Sequence, residues 1–309
     1  MTITSPDVIT SLNSIRDYIR WAASRFAEYQ VFLGHGTVAP LDEAAAIVLH
    51  TLHQPYDLAD AYLDCALSMA ERQTVVALVE RRIVERIPSA YLTNEAIFAG
   101  LPFYVDQRVL VPRSPIAELI EQRFEPWIDE ESVFNILDLC TGSACIAVAC
   151  AYAFPEAQVD AVDLSQDALA VAQINVQKHE LDEQVALIRS DLFADLPEKP
   201  YDVIVSNPPY VAISEWENLP VEYHAEPAMG FTGGETGLDV VLRILAAAND
   251  YLASEGILIV EVGSSAQTLQ DLFPGVPFHW LEFERGGDGV FLLTARQVAE
   301  YHSLFASAV

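Results

Sequence analysis

From Asn135 onward, short apolar runs alternate with amphipathic ones, and no other feature limits the fold so strongly. Residues 135–140, 158–164, 185–188, 201–206 and 256–262 each read as a short buried strand. Helical patterns lie between them, for example over residues 165–178 with Ser165 as the N-cap. Such alternation builds a mostly parallel sheet covered by helices on both faces. The end breaks the rhythm. Residues 278–284 and 290–295 flank Gly286-Gly287-Asp288-Gly289, a hairpin signal, so the last strand is expected to run antiparallel. The fold class is α/β, doubly wound.

The first ninety or so residues differ. Leu12, Ile15, Ile19, Ala22 and Phe26 recur at helical spacing, and further helices are expected over 41–52 and 69–86, stopped by Pro55 and Pro88. Arg81, Arg82 and Arg86 read as a solvated helix face. Residues 96–112 look like a hairpin joining two domains. The expected organisation is a helical domain over 1–95, a hairpin linker over 96–113 and a catalytic domain over 114–309.

Charge narrows the partners. The chain has 309 residues, 45 acidic and 16 basic, for a net charge of −29. Such a chain repels nucleic acid phosphates and speeds encounter with a basic protein. DNA is therefore not an expected partner. Cys65, Cys140, Cys145 and Cys150 form no C-x-x-C pair and read as buried thiols of a reducing compartment. His50 and His53 share a helix face, but no third metal ligand is evident. Met1 to Leu12 lacks the pattern of a signal peptide. The longest apolar stretch, residues 145–154, is half the length needed to span a bilayer. A soluble cytoplasmic protein is the expectation.

Ligands of a doubly wound sheet bind at the carboxyl ends of its strands. The first strand ends in Asp138 and turns through Cys140-Thr141-Gly142-Ser143-Ala144-Cys145. Asp163 ends the second strand, 21 residues after Gly142, where an acid typically accepts hydrogen bonds from a ribose diol. Asp191, after the third strand, could reach an adenine amine. One glycine instead of three argues against a pyrophosphate and for a nucleoside ligand.

The fourth strand ends in Asn207-Pro208-Pro209-Tyr210. Two consecutive prolines hold the backbone extended and remove two N–H donors. The Asn207 side-chain oxygen and the Pro208 carbonyl remain as fixed acceptors. Together they can grip both hydrogens of a planar NH₂ group, with the Tyr210 ring on its face. Those hydrogen bonds raise electron density on a delocalised nitrogen and aim it at an electrophile.

Taken together, Asp138 through Ala144, Asp163 and the Asn-Pro-Pro-Tyr tetrad resemble class I S-adenosylmethionine-dependent methyltransferases acting on a planar nitrogen. Gly34-His35-Gly36-Thr37, residues 108–116, Glu226-Pro227 and residues 286–291 narrow the resemblance to the protein-glutamine methyltransferases. More closely they resemble the branch that methylates a glutamine of large-subunit ribosomal protein L-three. The sister branch, acting on release factors, usually has Pro-Arg-Pro and an acid where this chain has Arg113-Ser114-Pro115. The resemblance implies S-adenosylmethionine as cofactor. Cys140, Thr141, Gly142, Ser143 and Ala144 would wrap its methionine part, beside Asp138. Asp163 would hold the ribose, and Asp191 and Leu192 would flank the adenine. Asn207 and Pro208 would hold the glutamine NH₂, while Pro209 and Tyr210 shape the pocket. The helical domain would recognise the protein substrate, and residues 226–237 would form a loop near it. The family usually has glycine at Ala144, where a methyl group is expected to crowd the cofactor or shift the turn. Alternatives are a release-factor enzyme, a nucleic acid adenine methyltransferase or a non-catalytic ribosome assembly factor.

Overall fold

The computed structural model describes residues 7–196 and 199–309. The chain divides into two compact units. One takes the residues up to Ala96 together with Pro220–Ala225; the other takes Ile97–Leu219 and Glu226–Val309. The short excursion at Pro220–Ala225 has no sequence signal.

The first unit is helical: α1 (Asp7–Ser11), α2 (Ile15–Glu28), α3 (Pro40–Thr51), α4 (Met69–Glu85) and α5 (Ser89–Thr93). Ser14 and Ser68 open α2 and α4 with reciprocal caps to Asp17 and Glu71, satisfying backbone N–H groups that a helix start leaves unpaired. Tyr18, Ala22, Phe26, Ile47, Val48, Val75 and Val79 form its core. Two expectations fail here. His53 lies beyond α3, with a left-handed φ of 54°, so it shares no helix face with His50. Cys65 is exposed rather than buried, although all four thiols are free.

The arginine cluster is also corrected. Arg81 is solvated and pairs with Glu85, but Arg82 is fully buried. Its guanidinium contacts Glu43 at 2.6 Å and the Phe32 carbonyl at 2.8 Å. Thr37 and Ser89 donate to the other oxygen of Glu43. Glu222, from the excursion, is 2% exposed and accepts from Arg86 at 3.1 Å and from the Phe32 N–H at 3.0 Å. A charge leaves water only with such partners. Helical spacing could not reveal this, because the two glutamates are remote in sequence.

In the second unit, β1 (Ala96–Phe98) and β2 (Leu101–Phe103) form a hairpin whose Phe98 and Phe103 enter the main core. From Ile97 onward, the segment expected as a linker is part of this packed unit. The central sheet contains β3 (Asn135–Leu139), β4 (Gln158–Asp163), β5 (Val185–Arg189), β6 (Tyr201–Ser206), β7 (Leu252–Glu261), β8 (His279–Trp280) and β9 (Val290–Thr294). Among the described residues its order is β5-β4-β3-β6-β7-β9-β8. The pairs from β5 to β7 are parallel, and β9 runs antiparallel to β7 and β8.

The pleat sends alternate side chains to opposite faces. Ile136, Val159, Val203 and Ile257 serve one core, while Leu137, Val162, Ile204 and Leu258 serve the other. Both faces are covered, so these strands read as apolar runs. Strand β7 is longer than expected because its first four residues are not buried. Chain order reverses between β3 and β6, which makes their carboxyl ends the switch point.

Candidate active site

At that switch point a cavity of about 510 Å³ opens, within the range of small-molecule sites. The loop after β3 forms one wall. Cys140, Gly142 and Ala144 all adopt left-handed φ values of 60°, 55° and 63°, which coils the chain before helix α7 (Cys145–Ala153). A side chain at Gly142 would meet no protein atom within 4 Å, leaving the backbone open to a ligand. Asp163 at the end of β4 braces the loop. One carboxylate oxygen accepts from the Gly142 N–H at 2.9 Å and the other from Ser165 N–H at 2.8 Å. Each oxygen keeps a lone pair for a ligand. Burial pushes the Asp163 carboxyl up, against the pull of the Ser165, Gly142 and Leu164 N–H groups.

Cys140, Thr141, Gly142, Ser143, Asp163, Asp191 and Leu192 all line this cavity, as do Asn207, Pro208, Pro209 and Tyr210. Asp138 and Ala144, both fully buried, are not among the lining residues. Asp138 lies fully buried beneath the loop, accepting from the Thr141 hydroxyl at 2.5 Å and the Ala147 N–H at 3.1 Å. Burial raises its carboxyl to about 7. The Ala144 methyl is fully buried in the main core. Burial also raises the Cys140 thiol, and that of Cys145 to about 12, so neither offers a thiolate nucleophile.

Asn207 continues from β6, whose Ser206 hydroxyl donates to the Leu139 carbonyl and ties the ends of β6 and β3 together. No hydrogen bond from a described residue occupies the Asn207 carboxamide or the Pro208 carbonyl. The next residue pair is held from several sides. The Tyr210 carbonyl accepts from Ser265 Oγ at 2.7 Å, and its ring lies against Gly263, where a Cβ would come within 2.5 Å of a ring carbon. Its hydroxyl donates to Glu261 Oε1 at 2.8 Å. The other Glu261 oxygen accepts from Ser114 Oγ at 2.5 Å.

Arg243 escaped the sequence reading, and for Glu226 and its neighbours that reading gave a loop without its partners. Arg243, on α10 (Asp239–Ala247), lines the cavity and pairs with Asp191 at 2.9 Å. Asp191 therefore arrives already partnered. Glu226 is buried, accepting from the two terminal guanidinium nitrogens of Arg113 at 3.0 Å and from the Val111 N–H at 2.8 Å. Pro227, Met229, Phe231 and Thr232 complete the wall beside Tyr210. A strand-end rule finds Asp163 and Asn207, but it is silent on what a returning loop brings back.

This geometry has known counterparts. Residues 124–221 match the family model described as methyltransferase small domain. A ribosomal protein uL3 glutamine methyltransferase from Xanthomonas campestris pv. campestris is 50% identical over 287 residues, covering 93% of each chain. One of the same name from Francisella tularensis subsp. tularensis is 44% identical over 300 residues, covering 97% of this chain and 96% of its own. The chain belongs to the ribosomal protein uL3 glutamine methyltransferase family. It is a methyltransferase of the class I fold, and the Asn-Pro-Pro-Tyr tetrad lies at that fold's switch point. Among the described residues no cluster of histidine, cysteine or carboxylate side chains suits a metal, and no helix is long and apolar enough to cross a membrane.

Proposed function

We propose that this chain transfers a methyl group from S-adenosylmethionine to the side-chain amide nitrogen of a glutamine in ribosomal protein uL3. The observation that carries the reading is the pair of unoccupied acceptors at Asn207 and Pro208, beside the cavity braced by Asp163. The cofactor fits the residues present. Gly142 leaves open space, Asp163 keeps lone pairs for the ribose hydroxyls, and Leu164 and Leu192 supply apolar wall. Asp191, oriented by Arg243, accepts from the adenine amine.

When bound, S-adenosylmethionine supplies an electrophilic methyl group. The protein's task is to present the nucleophile. Asn207 Oδ1 and the Pro208 carbonyl accept the two amide hydrogens, which strengthens the nitrogen and fixes its plane. Tyr210 covers that plane, and the prolines keep the acceptors from turning away. The amide proton becomes acidic only as nitrogen is alkylated, so it passes to water through the accepting oxygens without a strong base. The helical unit is the recognition module for the protein substrate, and the cytoplasm is the site of action. The charge supports a basic substrate.

Transfer from labelled S-adenosylmethionine to unmethylated uL3 and to a release factor, with mass spectrometry of the product, tests this. Label on a glutamine of uL3 alone is expected. Label on the release factor alone, or on neither, overturns the reading.

A further inference from the structure

We infer that Glu261 is a positioning residue for methyl transfer, acting through Tyr210. The inference rests on the reading just proposed. Glu261 is the last residue of β7, 5% exposed, and paired in register with Val290 of β9. A carboxylate buried this deeply is costly unless its oxygens are satisfied. Here each oxygen takes one O–H donor: Ser114 at 2.5 Å and Tyr210 at 2.8 Å. Burial pushes its carboxyl up, opposed chiefly by those two donors.

The arrangement has a direction. Ser114 is itself fixed, since its Oγ also accepts from the Ile116 N–H at 3.2 Å, at the start of helix α6 (Ile116–Glu121). The strand fixes the Glu261 backbone. Ser114, Tyr210 and Glu261 all line the cavity, and the Tyr210 ring is the member that the proposed reading places against the amide. The Tyr210 carbonyl is held by Ser265, and its ring edge lies against Gly263. The Glu261 hydrogen bond anchors the phenol tip and so helps set the plane offered to the target amide. A misplacement of about 1 Å at a reacting group can cost about a hundredfold in rate.

The test is a double-mutant cycle of Glu261→Ala with Tyr210→Phe, read as kcat and KM on uL3, with cofactor affinity from calorimetry. Glu261→Ala is expected to lower kcat by about tenfold to a hundredfold, leaving cofactor affinity unchanged. Glu261→Gln, which keeps an acceptor for the phenol, regains most of the loss. In the Tyr210→Phe background Glu261→Ala costs little more. A full additional loss there would overturn the inference, because Glu261 would then act by another route. Should Glu261→Ala fail to fold, Glu261→Asp enters the same cycle, its carboxylate too short to reach both hydroxyls. A fluorine NMR line from 3-fluorotyrosine at position 210 separates this question from the substrate reading. It should broaden or split in the Glu261 variants whether or not uL3 is the substrate, and an unchanged line overturns the positioning role. Absence of transfer by the unaltered enzyme would instead overturn the substrate.

Discussion

At the scale of single residues, Asn207 and Asp163 divide the labour. Asn207 offers an acceptor that no described residue occupies, while Asp163 braces the loop that would receive the cofactor. Asn207→Ala should abolish transfer and leave calorimetric cofactor affinity largely intact. Asp163→Ala should do the reverse, weakening affinity first. Near-normal turnover by the Asn207 variant would remove it from the mechanism. Asp138 carries a pH signature. Its carboxyl is raised from 3.8 to about 7 in the fold, and Oδ1 has no hydrogen-bond partner among the described residues. The folded state therefore holds a proton that the unfolded chain gives up above its own lower value. Stability from this group is largest in acid and falls between about pH 4 and 7, by up to about 1.4 kcal/mol per pH unit. Asp138→Asn cannot ionise, so denaturant melts across that range should show a flatter slope than the parent.

At the scale of elements, the turn from β3 into α7 shows how alanine is accommodated at the left-handed position 144. A left-handed φ costs a non-glycine residue about 1–2 kcal/mol, and burying a methyl returns about 0.8. Ala144→Gly should thus change stability by no more than about 1 kcal/mol, and cofactor titration should detect no change. Helix α4 presents the opposite case. Arg82→Met would leave the buried Glu43 carboxylate its two hydroxyl donors but take away the Arg82 cation, while Arg86 still pairs with Glu222, and urea melts should show a loss of about 3 kcal/mol. The five parallel strands were legible because both their faces are buried and apolar. The start of β7 was not, since Leu252 to Glu255 are not buried and show no apolar run. The ion pairs of Arg82 were illegible for another reason: helical periodicity describes one element, and its partners come from residues 43 and 222.

At the scale of the whole molecule, the charge is unevenly shared. The first 96 residues hold twelve acidic and seven basic side chains; the remaining 213 hold 33 and nine. Self-repulsion therefore concentrates in the catalytic part. Raising salt toward about 1 M shortens the screening length to about 3 Å. Calorimetric melting should shift upward with salt, mostly in the transition that reports the catalytic unit; a salt-independent melt would contradict this. The candidate site was legible where it depends on strand ends, as at Asp163 and Asn207. It was hidden where residues distant in sequence meet, as with Arg243 on Asp191 or Ser114 on Glu261.

The excursion at Pro220–Ala225 bears on how such a protein can change over time. The helical unit is discontinuous: ten residues after the tetrad, the chain lends it six residues, one of them the glutamate that meets Arg86. A swap at a single junction near residue 96 would hand the new helical partner a borrowed segment shaped for the old one. Recombination is thus a poor route to new targets for this architecture. The helical half and the loop behind the tetrad must be inherited as one piece, diverging by paired substitutions rather than by exchange.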